Sequence, residues 1–176
     1  MPTPDYLLRT SRLGFRQYHE GDVPALAEVF GDAYARQFYP AHGQHDKLRA
    51  WVTWSQRNYE EHGFGLWAIE LLSTGEFVGD AGLTLQPVEG AKLLEIGYHI
   101  HPSLRGQGLA TEAATACLKW AFDNTPHNTV CSIVHPENIA SIHVAGKTHR
   151  SKRMFQGTTG PSLLFYTTRE AHAGGA

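Results

Sequence analysis

Leu104-Arg105-Gly106-Gln107-Gly108-Leu109-Ala110-Thr111 is the stretch that decides how this chain folds. It follows an apolar run from Leu93 to Ile100, which predicts a strand, and it opens an apolar-periodic run from Gly108 to Asn124, which predicts a helix. A glycine-rich turn before a helix leaves backbone N–H groups free, and such groups bind phosphate with the help of the helix dipole. The sequence therefore predicts a cradle for a ligand that carries a pyrophosphate.

Composition limits the class of protein. The chain has 176 residues, of which 41% are hydrophobic and 18% charged, so we expect one domain over residues 1–176 with its core at about 10–170. A formal net charge of −2 gives no electrostatic reason to expect a nucleic-acid partner. Apolar runs are too short for a membrane span, so we expect no membrane partner and a cytoplasmic location. Cys117 and Cys131 fit buried hydrophobic positions, and their spacing indicates neither a disulfide nor a metal site.

Periodicity predicts the other elements. Strands are predicted at Leu13–Tyr18, Gly65–Leu72, Phe77–Leu85, Thr129–Val134 and Ser162–Thr168. Helices are predicted at Asp22–Asp32, Asp46–His62 and Asn138–Ala145. This order predicts an α/β or α+β fold with a mixed, mostly antiparallel central sheet flanked by helices.

Three segments are predicted to be irregular. Phe38-Tyr39-Pro40 reads as an aromatic loop, and the end from Ala171 to Ala176 reads as frayed. A basic cluster predicts a solvated turn, with a contact to an anionic ligand as the alternative; it comprises Lys147, Arg150, Lys152 and Arg153.

Two kinds of nucleotide-binding site lack residues that their motifs require. A dinucleotide site needs an acidic residue at the end of the next strand, and that strand ends in Val134-His135-Pro136. Gly146-Lys147-Thr148 looks like the end of a phosphate-binding loop. That loop requires a glycine five residues before Gly146, and this chain has Ser141 there.

A wider set of motifs resembles the GNAT N-acetyltransferase superfamily. Arg105-x-x-Gly108-x-Ala110 matches the motif by which that superfamily binds acetyl-CoA. The flanking segments resemble its RimJ/RimL-like branch: Ser11-Arg12-Leu13, Gly65 to Ile69, Phe77-Val78-Gly79, Gly97 to Pro102, Gly108 to Ala113 and His135 to Ser141. The resemblance covers about Thr10 to Lys147 and weakens after it, where Lys147-Thr148-His149-Arg150 replaces the usual Lys-Leu-Gly-Phe.

The resemblance implies a set of cofactor-binding residues. The CoA pyrophosphate would lie on the backbone of Arg105, Gly106, Gln107, Gly108, Leu109 and Ala110, with Thr111 in the first helical turn. The strand Leu93–Ile100 should splay from Thr129–Val134, and free N–H groups at Tyr98, His99 and Ile100 would polarise the thioester carbonyl. Asn138 would bind the pantetheine arm, and Ser141 would lie near the sulfur and protonate the leaving thiolate. The plainer alternatives are an N-cap for Asn138, a neutral helix position for Ser141 and a surface position for Arg105.

An amine acceptor must lose a proton before it attacks, and Glu95 is the candidate base because it interrupts an apolar strand. The alternative is an exposed residue of an alternating strand. His99 and His101 lie on the same strand face as Glu95. A third metal ligand is missing at a suitable spacing, so we expect no metal. The other role for the two histidines is a water-mediated proton path. Two roles are open for five aromatic residues, which either line an acceptor pocket or pack in the core: Phe38, Tyr39, Trp54, Phe64 and Trp67.

These features predict an acetyl-CoA-dependent N-acetyltransferase. It would transfer an acetyl group to a primary amine, on a protein N-terminus or a small molecule, by direct attack in a ternary complex that needs no cysteine nucleophile. The alternative is a non-catalytic acyl-CoA-binding or sensor domain. The expected partners are acetyl-CoA and the amine, and the sequence leaves a homodimer open.

Overall fold

A computed structural model describes residues 4–175, and an eight-stranded sheet organises them. The strands are β1 (Leu8–Arg9), β2 (Leu13–Arg16), β3 (Leu66–Leu71), β4 (Phe77–Val88), β5 (Ala91–Ile100), β6 (Thr129–Val134), β7 (Ser151–Gly157) and β8 (Gly160–Thr168). Their order is β1-β2-β3-β4-β5-β6-β8-β7, and every neighbouring pair is antiparallel except β5 and β6. The predicted fold class is confirmed.

Helices cover both faces of the sheet. They are α1 (Val23–Val29), α2 (Ala33–Phe38), α3 (His45–His62), α4 (Leu109–Asn124), α5 (Ile139–Thr148) and α6 (Arg169–Ala173). Along β3, Leu66 and Ala68 pack with α1 and α3, whereas Trp67 and Ile69 pack with α4, as the period of two in a strand requires. Between residues 4 and 175, no helix has the length and apolar character needed to cross a membrane.

The N-terminal half differs from the prediction in its first helices and in its first strands. The helix predicted to reach Asp32 ends at Val29, because the Asp32 Oδ1 accepts the Ala35 N–H at 3.1 Å and starts α2. The predicted loop at Phe38 is therefore wrong, since Phe38 is the last residue of α2. The strand predicted to end at Tyr18 is β2, which ends at Arg16. β1 was not predicted, because a strand of two residues is too short to produce a recognisable period.

The C-terminal half differs as well. Lys152 and Arg153, predicted in a solvated turn, lie in β7, which pairs along its length with β8. The pattern missed this strand because most of its side chains are exposed and polar at the edge of the sheet. The end predicted as frayed begins with α6, where the Thr168 hydroxyl accepts the Ala171 N–H at 3.2 Å; Ala176 lies outside the described residues.

The two parallel strands separate in the middle of the sheet. β5 and β6 pair at Leu94 with Val130 and at Glu95 with Cys131, and the Ser132 hydroxyl then donates to the Ile96 carbonyl at 3.0 Å. Ser132 also contacts the buried His149 Nε2 at 3.0 Å, and burial lowers the pKa of His149 to about 4. Beyond this link the strands diverge, which confirms the predicted splay.

Gly82 tests the close approach of β4 to the segment before β3. An added Cβ would overlap the Gly65 carbonyl oxygen and come within 2.7 Å of the Leu66 Cα. We expect Gly82→Ala to lower the free energy of unfolding by about 1–3 kcal/mol in urea denaturation, because the backbone must shift. Gly43→Ala is the control, since its Cβ would meet nothing within 4 Å. Equal stability of the two variants would contradict this packing.

Candidate active site

A cavity of about 300 Å³ lies between the end of β5, the start of α4 and the face of α5; we call it the larger cavity. Its lining includes eleven of the predicted residues: Tyr98, His99, Ile100, Arg105, Gly106, Gly108, Leu109, Ala110, Thr111, Asn138 and Ser141. Gln107 does not line it, and its carbonyl instead accepts from the Arg12 Nη1 at 3.0 Å. Sequence reasoning missed the Tyr34 ring. Lys147 also lines the cavity, and it belongs to the basic cluster for which contact with an anionic ligand was the alternative to a solvated turn.

The glycine turn has the backbone that an anion cradle requires. Gly106 and Gly108 have φ values of +77° and +80°, which favour glycine, and an added Cβ at Gly106 would meet nothing within 4 Å. Gly108 is the N-cap of α4, and its carbonyl accepts the Glu112 N–H at 3.0 Å. The first N–H groups of a helix have no acceptor within the helix, so those of Leu109 to Thr111 are available to a ligand.

Arg105 connects the turn to α2. Its Nη1 lies 2.5 Å from the Asp32 Oδ2, its Nε donates to the Ile100 carbonyl at 3.0 Å, and its guanidinium stacks over the Tyr34 ring at 4.7 Å. The hydrogen bond from Arg105 lowers the pKa of Asp32. Arg105 is therefore an internal link in the cavity wall rather than an unattached surface charge.

Asn138 and Ser141 share one end of α5. The Asn138 Oδ1 accepts the Ser141 N–H at 3.1 Å, which is the predicted N-cap, and also the Tyr34 hydroxyl at 2.5 Å. The Ser141 Oγ lies 3.0 Å from the Tyr98 hydroxyl, and burial raises the pKa of Tyr98. A pair of hydroxyl groups thus stands on the cavity wall at the end of β5.

Backbone directions along β5 alternate. The His101 N–H donates to the Val78 carbonyl of β4 at 2.7 Å, and His99 pairs with Asp80 of the same strand. Tyr98 and Ile100 therefore direct their N–H groups into the gap toward β6. This differs from the expectation for His99, which reaches the cavity through its side chain because its backbone faces β4.

A smaller cavity of about 220 Å³ adjoins the first, and the two share Tyr39, Tyr98, His99 and Ser141. Glu95 lines the smaller cavity and is partly buried, not exposed. Its carboxylate accepts the Thr84 hydroxyl and the Ile133 N–H, both at 3.3 Å. Burial raises the pKa of Glu95 to about 7.

Asp80 fixes the wall on which the two cavities meet. It is fully buried and accepts the Tyr18 hydroxyl at 2.8 Å and the Trp51 indole N–H at 3.0 Å, while its other oxygen lies 2.6 Å from the His99 Nδ1. Sequence reasoning missed Asp80, although a carboxylate in an apolar strand is the same signal that singled out Glu95.

The remaining candidate residues lie in different parts of the structure. Tyr39 and Trp54 line the smaller cavity, whereas Phe64 and Trp67 are buried in the core and Phe38 packs against His135. His101 lies 3.1 Å from Glu28 at the surface. Within the described residues 4–175, no group of three or more acidic, histidine or cysteine side chains is placed to hold a metal ion.

Comparison with known proteins identifies the fold. The family model of the acetyltransferase (GNAT) domain matches residues 12–149. This chain belongs to the GNAT family. Among curated relatives of this GNAT domain, YkkB of Bacillus subtilis (strain 168) is 36% identical over 148 residues, which covers 82% of this chain and 86% of YkkB.

Solved structures agree with the family assignment. An acetyltransferase from Agrobacterium tumefaciens str. C58 is 27% identical and superposes with a TM-score of 0.78 over 90% of this chain and 92% of that one. RimL, a ribosomal alpha-N-protein acetyltransferase in complex with coenzyme A, has the same fold at 18% identity, with a TM-score of 0.76 over 95% and 99% of the two chains. This GNAT domain is an N-acyltransferase.

The buried carboxylate of Glu95 gives a pH test of the site. Its folded pKa of about 7 lies above the ordinary 4.5, so the ionised form is disfavoured in the folded state. Stability attributable to Glu95 should be complete below about pH 4.5 and be lost as pH rises through about 7. We expect Glu95→Gln to be more stable relative to the original protein at pH 8 than at pH 5, by on the order of 3 kcal/mol. Urea unfolding at both pH values measures this, and a pH-independent difference would contradict it.

Proposed function

We propose that this protein transfers the acetyl group of acetyl-CoA to a primary amine by direct attack in a ternary complex. The observation that carries the proposal is the junction of the two cavities, where Tyr39, Tyr98, His99 and Ser141 line both. An acyl donor in the larger cavity and an amine in the smaller one would meet there. Cys117 and Cys131 are buried and their thiol pKa values are raised, so neither is suited to form an acyl-enzyme.

The larger cavity fits acetyl-CoA. The free N–H groups at the start of α4 and the glycines that admit close approach suit the pyrophosphate. We assign this contact to the turn residues that line the cavity, which are Arg105, Gly106, Gly108, Leu109, Ala110 and Thr111. Lys147 adds a positive charge to the same wall, and the Asn138 amide group remains for the pantetheine arm.

The end of β5 fits the thioester of acetyl-CoA, which is the group that reacts. The N–H groups of Tyr98 and Ile100 face the gap and would stabilise the charge that develops on the carbonyl oxygen; one such donor is worth about 3 kcal/mol. The hydroxyl pair of Tyr98 and Ser141, 3.0 Å apart, would hold the proton that the departing sulfur needs.

Glu95 is the group that we assign to the amine. It faces the smaller cavity, and its pKa of about 7 matches a base that works near neutral pH. The ammonium proton would pass to the Glu95 carboxylate, which leaves the nitrogen lone pair free to attack.

The motifs around Gly97-Tyr98 and from His135 to Ser141 support a place in the RimJ/RimL-like branch of the family. The RimL fold is consistent with that place.

Filling the turn tests the CoA site. We expect Gly108→Trp to reduce the affinity for coenzyme A at least a hundredfold in isothermal titration, because the new side chain occupies the cradle. Gly75→Trp is the matched control: it also replaces a glycine with positive φ, +74° against +80°, but lies in the turn before β4 with nothing within 4 Å of its Cβ. Equal binding by the two variants would overturn the assignment of the site.

Removing the carboxylate tests the transfer reaction. Coenzyme A release from acetyl-CoA with a primary amine should depend on Glu95, and Glu95→Gln should lower kcat/KM by about a hundredfold at pH 8. The ratio between the original protein and the variant should shrink as pH falls from 8 to 6, because Glu95 becomes protonated below its pKa of about 7. Glu76→Gln, an exposed glutamate in the β3–β4 turn, is the control. A constant ratio would show that Glu95 is not the base.

A further inference from the structure

The smaller cavity has walls of a particular chemistry. Indole and phenol rings form one side, with Trp51 and Trp54 at 5.7 Å between ring centroids and Tyr39 at 4.7 Å from the His99 ring. Trp51 is fixed by its hydrogen bond to Asp80, and Trp54 is 38% exposed at the rim. Aromatic walls of this kind favour an apolar or aromatic body in the ligand.

Charge in the cavity is confined to two groups. Among the described lining residues, Glu95 is the sole carboxylate and His99 is the sole basic side chain, because neither lysine nor arginine lines the cavity. Asp80 is not a second anionic partner, because Tyr18, Trp51 and His99 occupy its oxygens. One ammonium group therefore has a partner in Glu95, and a second one would have none.

A carboxylate on the acceptor is also disfavoured. In an α-amino acid it would lie beside the amine and hence beside Glu95, where the like charges repel in a partly buried site. The volume of about 220 Å³ is below the usual range for small-molecule sites, about 300–1,000 Å³, so the part of the acceptor that enters the cavity is compact.

We propose that the preferred acceptor is a compact monoamine with an aromatic or bulky apolar body and without an acid group. Phenethylamine is a simple member of this class. The inference rests on the proposed function, because it takes the smaller cavity as the acceptor site.

Matched substrates test the class. Coenzyme A release should show a kcat/KM for phenethylamine at least tenfold above that for propylamine, which lacks the ring, and at least tenfold above that for phenylalanine, which adds a carboxylate. Phenethylamine should also exceed spermidine, kanamycin and a peptide that begins with phenylalanine. A higher kcat/KM for any of these five compounds would overturn the proposal.

Trp54 provides the variant test. Trp54→Ala should lower the ratio of kcat/KM for phenethylamine to that for propylamine at least fivefold, and Trp54→Phe should restore most of it. Because both amines are measured on one protein preparation, a partly unfolded variant does not change the ratio. Met154→Ala, on the exposed edge strand β7 and 52% accessible, is the control. An unchanged ratio in Trp54→Ala would overturn the aromatic contact.

Binding separates this inference from the proposed function. If no amine is acetylated, the proposed function fails. Calorimetric titration of phenethylamine and phenylalanine into the protein saturated with coenzyme A then still decides the preference: at least tenfold tighter binding of phenethylamine supports it, and equal or reversed affinities overturn it.

Discussion

The divergence of β5 and β6 is the constraint on which the site depends. The two parallel strands pair as far as Glu95 and Cys131, and the Ser132 hydroxyl makes the last connection, to the Ile96 carbonyl. Past this point the backbone of β5 faces a gap instead of a neighbouring strand. A backbone N–H group that is buried without a hydrogen-bond partner has a large free-energy cost, so a polar ligand is stabilised in this gap. Both cavities open around it.

The point of divergence is itself fixed by buried polar groups. His149 contacts Ser132 on one side and the Thr167 hydroxyl on the other, at 3.0 Å and 3.3 Å. Its lowered pKa keeps the ring neutral, so it bridges β6 and β8 without bringing a charge into the core. The segment after Lys147, where the chain departs from the usual family pattern, thus contributes a contact to the last link between β5 and β6.

On the opposite side of the site, Asp80 organises the aromatic wall of the smaller cavity. Its buried carboxylate is stabilised by three partners, which come from the segment after β2, from α3 and from β5: Tyr18, Trp51 and His99. A carboxylate with so many partners locks the orientation of the rings that it contacts. The wall of the smaller cavity therefore has a defined shape and charge.

Local patterns predicted the elements that are continuous in sequence. β6 was predicted at its observed bounds, α3 and α4 within one residue, and the glycine turn between β5 and α4 lies where its residues indicate. β1 and β7 escaped prediction for a physical reason: a two-residue strand has no period, and an exposed edge strand has no buried face to mark it. In α2, the side-chain cap of Asp32 outweighed the loop character of Phe38-Tyr39-Pro40.

The sequence by itself determined the glycine turn that lines the larger cavity, because a strand, a glycine turn and a helix start lie within one short segment. Tertiary structure alone decided the smaller cavity. Tyr39, the α3 pair Trp51 and Trp54, and Glu95 come from three separate segments of the chain, and no spacing rule connects these segments. They meet because the sheet brings β4 and β5 under α3, and because Asp80 holds Trp51 and His99 in place.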